Sequence, residues 1–157
     1  LSFSAADRAS GVAYINYSIN SETMTRYSQS IQFKQSGQKI VRFQAVDQVG
    51  NVEELQVLSV LYDETAPEID ISFSKQPHQQ NDNEATIDAE TLISITSIDR
   101  ESEVKSLEYK LGEQDYKPYF RPIKMQGSSP QKLTIRSIDL FGNEQIKVIT
   151  IQLNSKK

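Results

Sequence analysis

The chain of 157 residues carries the same 65-residue pattern twice. Residues 1–65 align on residues 93–157 without a gap, and 13 of the 65 positions are identical. Much of the remaining match is apolar for apolar, as at Leu1/Ile93 and Val41/Leu133. A long fixed period of this kind indicates tandem structural units. We therefore expect two domains, 1–63 and 64–157.

Alternating apolar and polar residues, the pattern of strands with one buried face, run through both copies. Clear examples are 13–19 and 40–46 in the first copy, and 92–98 and 132–138 in the second. A 3.6-residue apolar stripe with helix caps is not evident, so we expect little helix. Short strands at 8–12-residue spacing with turn signals between them predict an all-β fold of antiparallel β-sandwiches.

The two copies are joined at Asp63–Pro67, a segment without glycine in which Pro67 fixes φ and lacks an N–H. We expect this linker to restrict domain motion. The second copy has 27 residues, 66–92, before its aligned start. We therefore expect the first domain to lack its opening strand and to expose an edge open to strand addition by another chain. The polar segment Lys75–Ala85 is expected to form a loop.

Composition excludes several classes of partner. The net charge is −4, with five basic and seven acidic residues in 1–64 and twelve and fourteen in 65–157. Without a basic stripe, we expect no nucleic-acid partner, and without a long apolar or polybasic amphipathic segment, no membrane insertion. The printed sequence shows no signal peptide. The absence of cysteine excludes disulfides and thiolate sites.

An Asp-x-x-Gly-Asn element recurs at 47–51 and 139–143. A leading aspartate accepts hydrogen bonds from the next backbone N–H groups, and glycine tolerates the positive φ of a bulged type I turn. We interpret the element as the turn of a closing hairpin. The alternative is calcium, which prefers six to eight oxygen ligands; the candidate ligands are Asp7, Asp47, Asp99 and Asp139.

Aromatic residues offer a second candidate site. Tyr17 and Tyr109 alternate in phase with apolar neighbours, so we expect them in the core. A cluster in the second copy would stack on a sugar or on a partner surface: Tyr116, Tyr119, Phe120 and Arg121. Packing of an edge strand against the sandwich is the favoured interpretation of this cluster.

Residues suited to catalysis are scarce. His78, the only histidine, lies in a polar segment and is expected to be solvated. With one histidine and no cysteine, the chain cannot form a cysteine–histidine pair or a multi-histidine metal site. We expect no catalytic residues, no cofactor and no enzymatic activity.

Gly11 is replaced by Glu103 in the second copy, so we expect no positive φ at Gly11.

The motifs resemble those of bacterial Ig-like tandem repeats of the outer-membrane-protein type. The matching parts are Thr65-Ala-Pro67, Ser10-Gly-Val12, Tyr17-Ser-Ile19, Tyr27 and the strand that ends Ala45-Val-Asp47-x-x-Gly50-Asn51. The second copy departs from this pattern at Glu103 and at Ser137, where the family has alanine. The resemblance implies two tandem Ig-like or fibronectin-III-like sandwiches and supplies no catalytic or ligand residues.

The resemblance also implies an extracytoplasmic location, in a secreted or outer-membrane-associated surface protein. We expect a non-catalytic spacer or stalk module that contributes to adhesion. Its partners would be other domains of the same polypeptide and a host or cell-surface protein or glycan. The alternatives are an accessory carbohydrate- or protein-binding module and a calcium-rigidified repeat.

Overall fold

A computed structural model describes residues 1–127 and 129–154. The chain divides into two compact units, Leu1–Glu64 and Thr65–Lys157, here called unit 1 and unit 2. The fold is all-β, as the alternating pattern predicts, and the described residues contain no α-helix. Accordingly, no helix in this part of the chain is long and apolar enough to cross a membrane.

Four strands lie in unit 1: β1 (Val12–Ile19), β2 (Thr25–Arg26), β3 (Gly37–Asp47) and β4 (Gln56–Tyr62). The described part of unit 2 has nine: β5 (Glu68–Phe73), β6 (Gln79–Gln80), β7 (Glu84–Ile87), β8 (Leu92–Ile98), β9 (Val104–Leu111), β10 (Lys117–Pro118), β11 (Ile123–Lys124), β12 (Gln131–Asp139) and β13 (Glu144–Leu153).

Unit 2 is a two-sheet β-sandwich. One sheet has the strand order β11-β8-β5 and the other the order β10-β9-β12-β13-β7-β6. Neighbouring strands are antiparallel except β13 and β7, which are parallel. The inward positions of the two sheets form one apolar core, because alternate side chains of each strand point to the same face; its buried members include Ile69, Ile87, Ile93, Ile95, Leu133, Ile135, Ile149 and Ile151.

Unit 1 contains one four-stranded sheet, ordered β2-β1-β3-β4. Adding 92 to the residue numbers of β1 and β2 gives those of β9 and β10. The repeat in the sequence is therefore also a repeat in the structure. The repeated tyrosines pack alike: the ring centroids of Tyr17 and Tyr27 are 6.1 Å apart, and those of Tyr109 and Tyr119 are 6.2 Å apart. Tyr109 packs against the core of unit 2, as the sequence predicts.

Unit 1, all of whose residues are described, has no counterpart of β5, β6 or β7. Residues 1–6 occupy the place of β8: the backbone N–H and C=O of Leu1 bond to Ile31 at 2.8 Å each, as Ile93 pairs with Ile123 in unit 2. Because their other side has no strand partner, these residues form no strand of their own.

Two expectations from the sequence are wrong. The segment Lys75–Ala85 is not simply a loop, since it contains β6 and the beginning of β7, and β7 pairs with β13. Gly11 does have a positive φ, 77°. Glu103 is not among the described residues with positive φ, so the two copies reach the same strand by different backbone paths.

The gapless alignment is also wrong over the last strand. In unit 1 the returning chain begins with Val52 opposite Val46, but farther along Gln56 lies opposite Phe43. Four residues of the returning chain therefore oppose three of β3, which is a β-bulge with one extra residue. Beyond the bulge, Leu58 faces Val41 as Ile149 faces Leu133, so the matching positions in β4 and β13 differ by 91 rather than 92.

Ser137 stands where the repeat family that the sequence resembles has alanine, and a second serine in unit 2 compensates for this difference. Ser137 is fully buried, and its Oγ lies 2.7 Å from Oγ of Ser97. The matching positions in unit 1 are Ala5 and Ala45. A pair of alanines in one copy is thus a hydrogen-bonded pair of serines in the other, which satisfies both hydroxyls inside the sandwich.

Ser137→Ala should destabilise unit 2 by about 1–2 kcal/mol, because it leaves the Ser97 hydroxyl without its partner. The double variant Ser97→Ala/Ser137→Ala should recover most of this loss, since it restores the alanine pair of unit 1. Amide hydrogen exchange in β12 measures the free energy of opening of unit 2 separately from unit 1. A double variant that is destabilised by the sum of the two single changes would contradict this interpretation.

Candidate functional site

The Asp-x-x-Gly-Asn element forms the turn between the last two strands of each unit, as predicted. In unit 2, Oδ1 of Asp139 accepts the backbone N–H groups of Phe141 and Asn143, both at 2.8 Å. Its Oδ2 accepts the Asn143 side-chain amide at 2.7 Å. Gly142 has a φ of 91°, in the left-handed region that favours glycine.

Unit 1 repeats this geometry closely. Oδ1 of Asp47 accepts the backbone N–H groups of Val49 at 3.0 Å and Asn51 at 2.7 Å, and Oδ2 accepts the Asn51 amide at 2.7 Å. Gly50 has a φ of 94°. The Asp and Asn side chains that recur at this turn therefore form hydrogen bonds with the backbone of the turn and with each other.

The four candidate calcium ligands do lie in pairs. In unit 1, Ser10 Oγ is 2.7 Å from Oδ2 of Asp47 and 3.2 Å from Oδ2 of Asp7; its single proton favours the closer Asp47. In unit 2, a carboxylate oxygen of Asp99 lies within 4.8 Å of one of Asp139. The candidate ligands named from the sequence thus lie near each other within each unit.

Hydrogen-bond donors already surround these carboxylates. Oδ1 of Asp7 accepts the backbone N–H of Ala9 at 2.6 Å and that of Ser10 at 3.2 Å. Oδ1 of Asp99 accepts the backbone N–H groups of Glu101 and Ser102, at 3.0 and 2.7 Å. A calcium ion, which needs six to eight oxygens, would compete with these donors at both pairs.

The Asp47 carboxyl is the most perturbed of these groups. The Ser10 hydroxyl, and after it the Asn51 amide and backbone N–H groups, stabilise the charged form and lower the pKa of Asp47 to about 2 against the opposing effect of desolvation. The pKa of Asp7 is also lowered, chiefly by the backbone N–H of Ala9. Donation to a carboxylate favours its ionised state.

The predicted aromatic cluster separates into a structural part and an exposed part. Tyr119 is structural: its hydroxyl accepts the backbone N–H of Ile95 at 3.0 Å, and its ring packs against the core. The Tyr116 ring is covered by cations, with the Arg136 guanidinium 4.2 Å and Lys110 Nζ 5.1 Å from its centroid. The Tyr119 ring is thus part of the packing of unit 2, and the Tyr116 ring has two cations as neighbours.

Arg136 is itself anchored. Its Nη2 lies 2.6 Å from a carboxylate oxygen of Glu108, and the two side chains are about one third and one quarter exposed. This hydrogen bond raises the pKa of Arg136 above its ordinary value. Held in this way, the guanidinium covers Tyr116 as a cation–π partner.

Phe120 and Arg121 are the exposed part of the cluster. Phe120 is 88% exposed, the highest value among the exposed large apolar residues described. Arg121 borders an open groove with a volume of about 630 Å³. Two lysines, Lys117 and Lys124, also line this groove, and Lys124 is paired with Glu90 at 2.7 Å. No local sequence pattern predicts the groove, because its lining comes from three separate segments.

His78 has a partner that the sequence did not suggest. Its Nε2 lies 2.9 Å from Oδ1 of Asp88, and the side chain is about half exposed. Nε2 is also 3.0 Å from the Asn154 side-chain amide. Nε2 donates to Asp88 in one tautomer and accepts the Asn154 amide in the other, since a single ring nitrogen cannot do both.

Comparison of the chain with protein-family models and with the curated proteins finds no match.

The low pKa of Asp47 links the stability of unit 1 to pH. Because it lies below the unfolded value of about 3.9, the resulting stabilisation is complete above about pH 4 and is lost as the pH falls towards 2. Ser10→Ala removes the largest cause, so the pKa of Asp47 should rise towards the ordinary value. A carboxyl carbon NMR titration of Asp47 measures this directly, with Ser2→Ala as the control; a wild-type pKa near 3.9 would contradict the prediction.

Proposed function

We propose that the chain is a non-catalytic, Ig-like repeat module of a bacterial surface or secreted protein, and that it serves as a load-bearing spacer that contributes to adhesion. The sequence motifs that resemble outer-membrane-protein-type repeats support the family and the extracytoplasmic location. The all-β fold of the described residues is compatible with them.

The use of the repeated side chains supports a scaffold role. Asp47, Asn51 and their counterparts hold turns, and the tyrosine pairs fill the inner face of the sheet. A residue that acts on a ligand must leave polar atoms directed at that ligand, whereas these polar atoms are engaged within the fold. The side chains that recur in both copies therefore serve the fold, which supports a role as a structural spacer.

The parallel pairing of β7 with β13 is the observation that carries the proposal. Thr150 pairs with Glu84 and Leu153 with Ile87, and the pair is bracketed by Thr150 N–H to Asn83 O and Asn154 N–H to Ile87 O, both 2.8 Å. Tension enters unit 2 through β5, which pairs antiparallel with β8. Once β5 and β6 have yielded, tension pulls β7 towards its N-terminal end and β13 towards its C-terminal end. Parallel strands pulled in this way are sheared, so their evenly spaced hydrogen bonds bear the load together.

Constant-force unfolding of the full chain tests this role. Ala85→Pro removes a backbone N–H from β7 and should make unit 2 unfold about tenfold faster under load, since 1.4 kcal/mol of barrier is a factor of about ten. The unit is recognised by its length gain of about 3.3–3.6 Å per residue.

Ser137→Ala is the matched control, because it destabilises unit 2 from β12 without changing the β7 backbone. When the two variants lose the same free energy of unfolding, Ala85→Pro should increase the unfolding rate under load more than Ser137→Ala does. Equal effects of the two variants would show that the β7–β13 pair bears no special load, and the spacer proposal would lose its main support.

The second candidate function is an accessory module that binds an acidic glycan. It is favoured by the exposed Phe120, which precedes Arg121 in the chain, and by the groove that Lys117, Arg121 and Lys124 line. An aromatic ring next to cations suits a sugar that carries carboxylates, since the ring packs on the sugar face and the cations pair with its charges.

Titration of the full chain with polygalacturonate tests this candidate. Arg121→Gln should weaken binding about tenfold, Phe120→Ser should weaken it as well, and added salt should weaken the wild type by screening. Arg8→Gln, at an exposed arginine of unit 1, is the control and should bind as the wild type does. Absence of saturable wild-type binding would remove this candidate and leave the spacer proposal untouched.

A further inference from the structure

A groove recurs at the same place in both units. In unit 1 its volume is about 510 Å³, and in unit 2 it is the groove of about 630 Å³ that Arg121 borders. All residues that line the groove in unit 1, except Ser28, have counterparts 92 positions later that line the groove in unit 2, as at Tyr17/Tyr109, Gln29/Arg121 and Gln32/Lys124. We call them the Tyr17 groove and the Tyr109 groove.

The groove lies where the chain passes from one sheet to the other. In unit 2, residues 119–122 connect β10 of the six-stranded sheet to β11 of the three-stranded sheet. In unit 1, residues 27–30 follow β2 in the same way and lead to Ile31. Because unit 2 has the groove although β5 and β7 are present there, the groove is a property of the repeat and does not depend on those strands.

Polar side chains around the Tyr17 groove have capacity for a ligand. Five of them are exposed and form no hydrogen bond or ion pair with another described residue: Ser28, Gln29, Ser30, Gln32 and Lys34. The recurring Asp47 and Asn51, by contrast, form hydrogen bonds within their own turn. The polar atoms of the groove are therefore available in a way that those of the turn are not.

The chemistry of this lining suits a ligand rich in hydroxyl groups. An amide side chain such as Gln29 or Gln32 carries an acceptor and a donor side by side, and a hydroxyl both donates and accepts. Neighbouring hydroxyls of a sugar ring offer the same combination. Tyr17 and Ile31 supply an apolar part of the lining, and the C–H face of a sugar packs on such a surface.

The two grooves differ in charge at matching positions. Gln29 and Gln32 in unit 1 correspond to Arg121 and Lys124 in unit 2. Lys34 is the one cation among the described residues that line the Tyr17 groove, whereas three cations line the Tyr109 groove. An anionic glycan thus finds fewer charge partners in unit 1, while an uncharged glycan needs none.

The backbone beside the groove offers little to a peptide. Strand β2 has two residues, and residues 27–36 form no strand. In unit 2 the neighbouring strands β10 and β11 also have two residues each, and Pro118 in β10 lacks a backbone N–H. A peptide that adds to a sheet edge is held by main-chain hydrogen bonds. The groove therefore favours a ligand that side chains recognise.

We propose that the Tyr17 groove binds an uncharged glycan chain. The amides of Gln29 and Gln32 hydrogen-bond to sugar hydroxyls, and Tyr17 and Ile31 pack against the sugar ring. Unit 1 is then a binding module as well as a spacer, with a ligand class different from that of the Tyr109 groove. The site does not depend on the acidic-glycan candidate, because the two grooves lie in different units.

Titration of the full chain with fully methyl-esterified polygalacturonate, followed by amide NMR shifts, tests the proposal. This polymer keeps the sugar chain of polygalacturonate but has no charged carboxylates. It should cause saturable shifts in residues 28–34, and the acidic polymer should bind there at least tenfold more weakly. Shifts of residues 121–126 with the acidic polymer report the Tyr109 groove separately, so that either site can fail without the other.

Substitutions of glutamine make a matched set. The double change Gln29→Ala/Gln32→Ala removes two hydrogen-bonding side chains and should weaken binding of the neutral polymer about tenfold. Gln35→Ala is the control, because Gln35 is exposed in the same segment but does not line the groove. All three glutamines are exposed, so unit 1 should stay folded, which the amide signals of β1 monitor.

Three results would overturn the proposal. The first is the absence of saturable shifts in residues 28–34 with the neutral polymer while the β1 signals remain those of the folded unit. The second is equal weakening by Gln35→Ala and by the double change. The third is saturation of these shifts by a peptide of alternating serine and threonine but not by the polymer, which would assign the groove to a protein partner.

Discussion

The structure depends on the carboxylate that holds the turn between the last two strands of each unit. Asp139 is fully buried, and its carboxylate accepts hydrogen bonds from the backbone N–H groups of Phe141 and Asn143 and from the Asn143 side chain, all within the same turn. In unit 2 no bulge follows this turn, so the pairing of β12 with β13 continues from it without a shift. The register in turn brings Leu133 opposite Ile149 and Gln131 opposite Ile151, so it decides which side chains of the central strands enter the core.

The two copies show how the same turn tolerates different surroundings. Unit 1 keeps the turn but adds a bulge just beyond it, which moves Leu58 rather than Val57 to the inner face. Unit 2 exchanges an alanine pair for the Ser97–Ser137 pair, and the exchange works because both hydroxyls find each other at 2.7 Å. Such paired changes preserve the core while individual residues differ, since a buried hydroxyl is costly only when it lacks a partner.

The properties that differ between the units are those relevant to a partner. The groove of unit 1 that Phe3 and Asp47 line and the groove of unit 2 that Leu111 and Arg121 line both combine apolar and polar side chains. The repeated tyrosines are packed and the repeated aspartates are hydrogen-bonded within their turns.

The sequence by itself determined the all-β class, the repeat and the closing turns, because alternation, a fixed offset of 92 residues and a five-residue turn motif can all be recognised along the chain. It did not reveal β7, since a strand of only four residues, Glu84–Ile87, depends on its pairing with β13, which begins 66 residues farther on at Thr150. Nor did it show that Tyr119 bonds to Ile95, that Arg136 covers Tyr116, or that β4 carries a bulge. Those features required the tertiary structure, because contacts between distant segments decide which polar groups are satisfied and which apolar faces remain open.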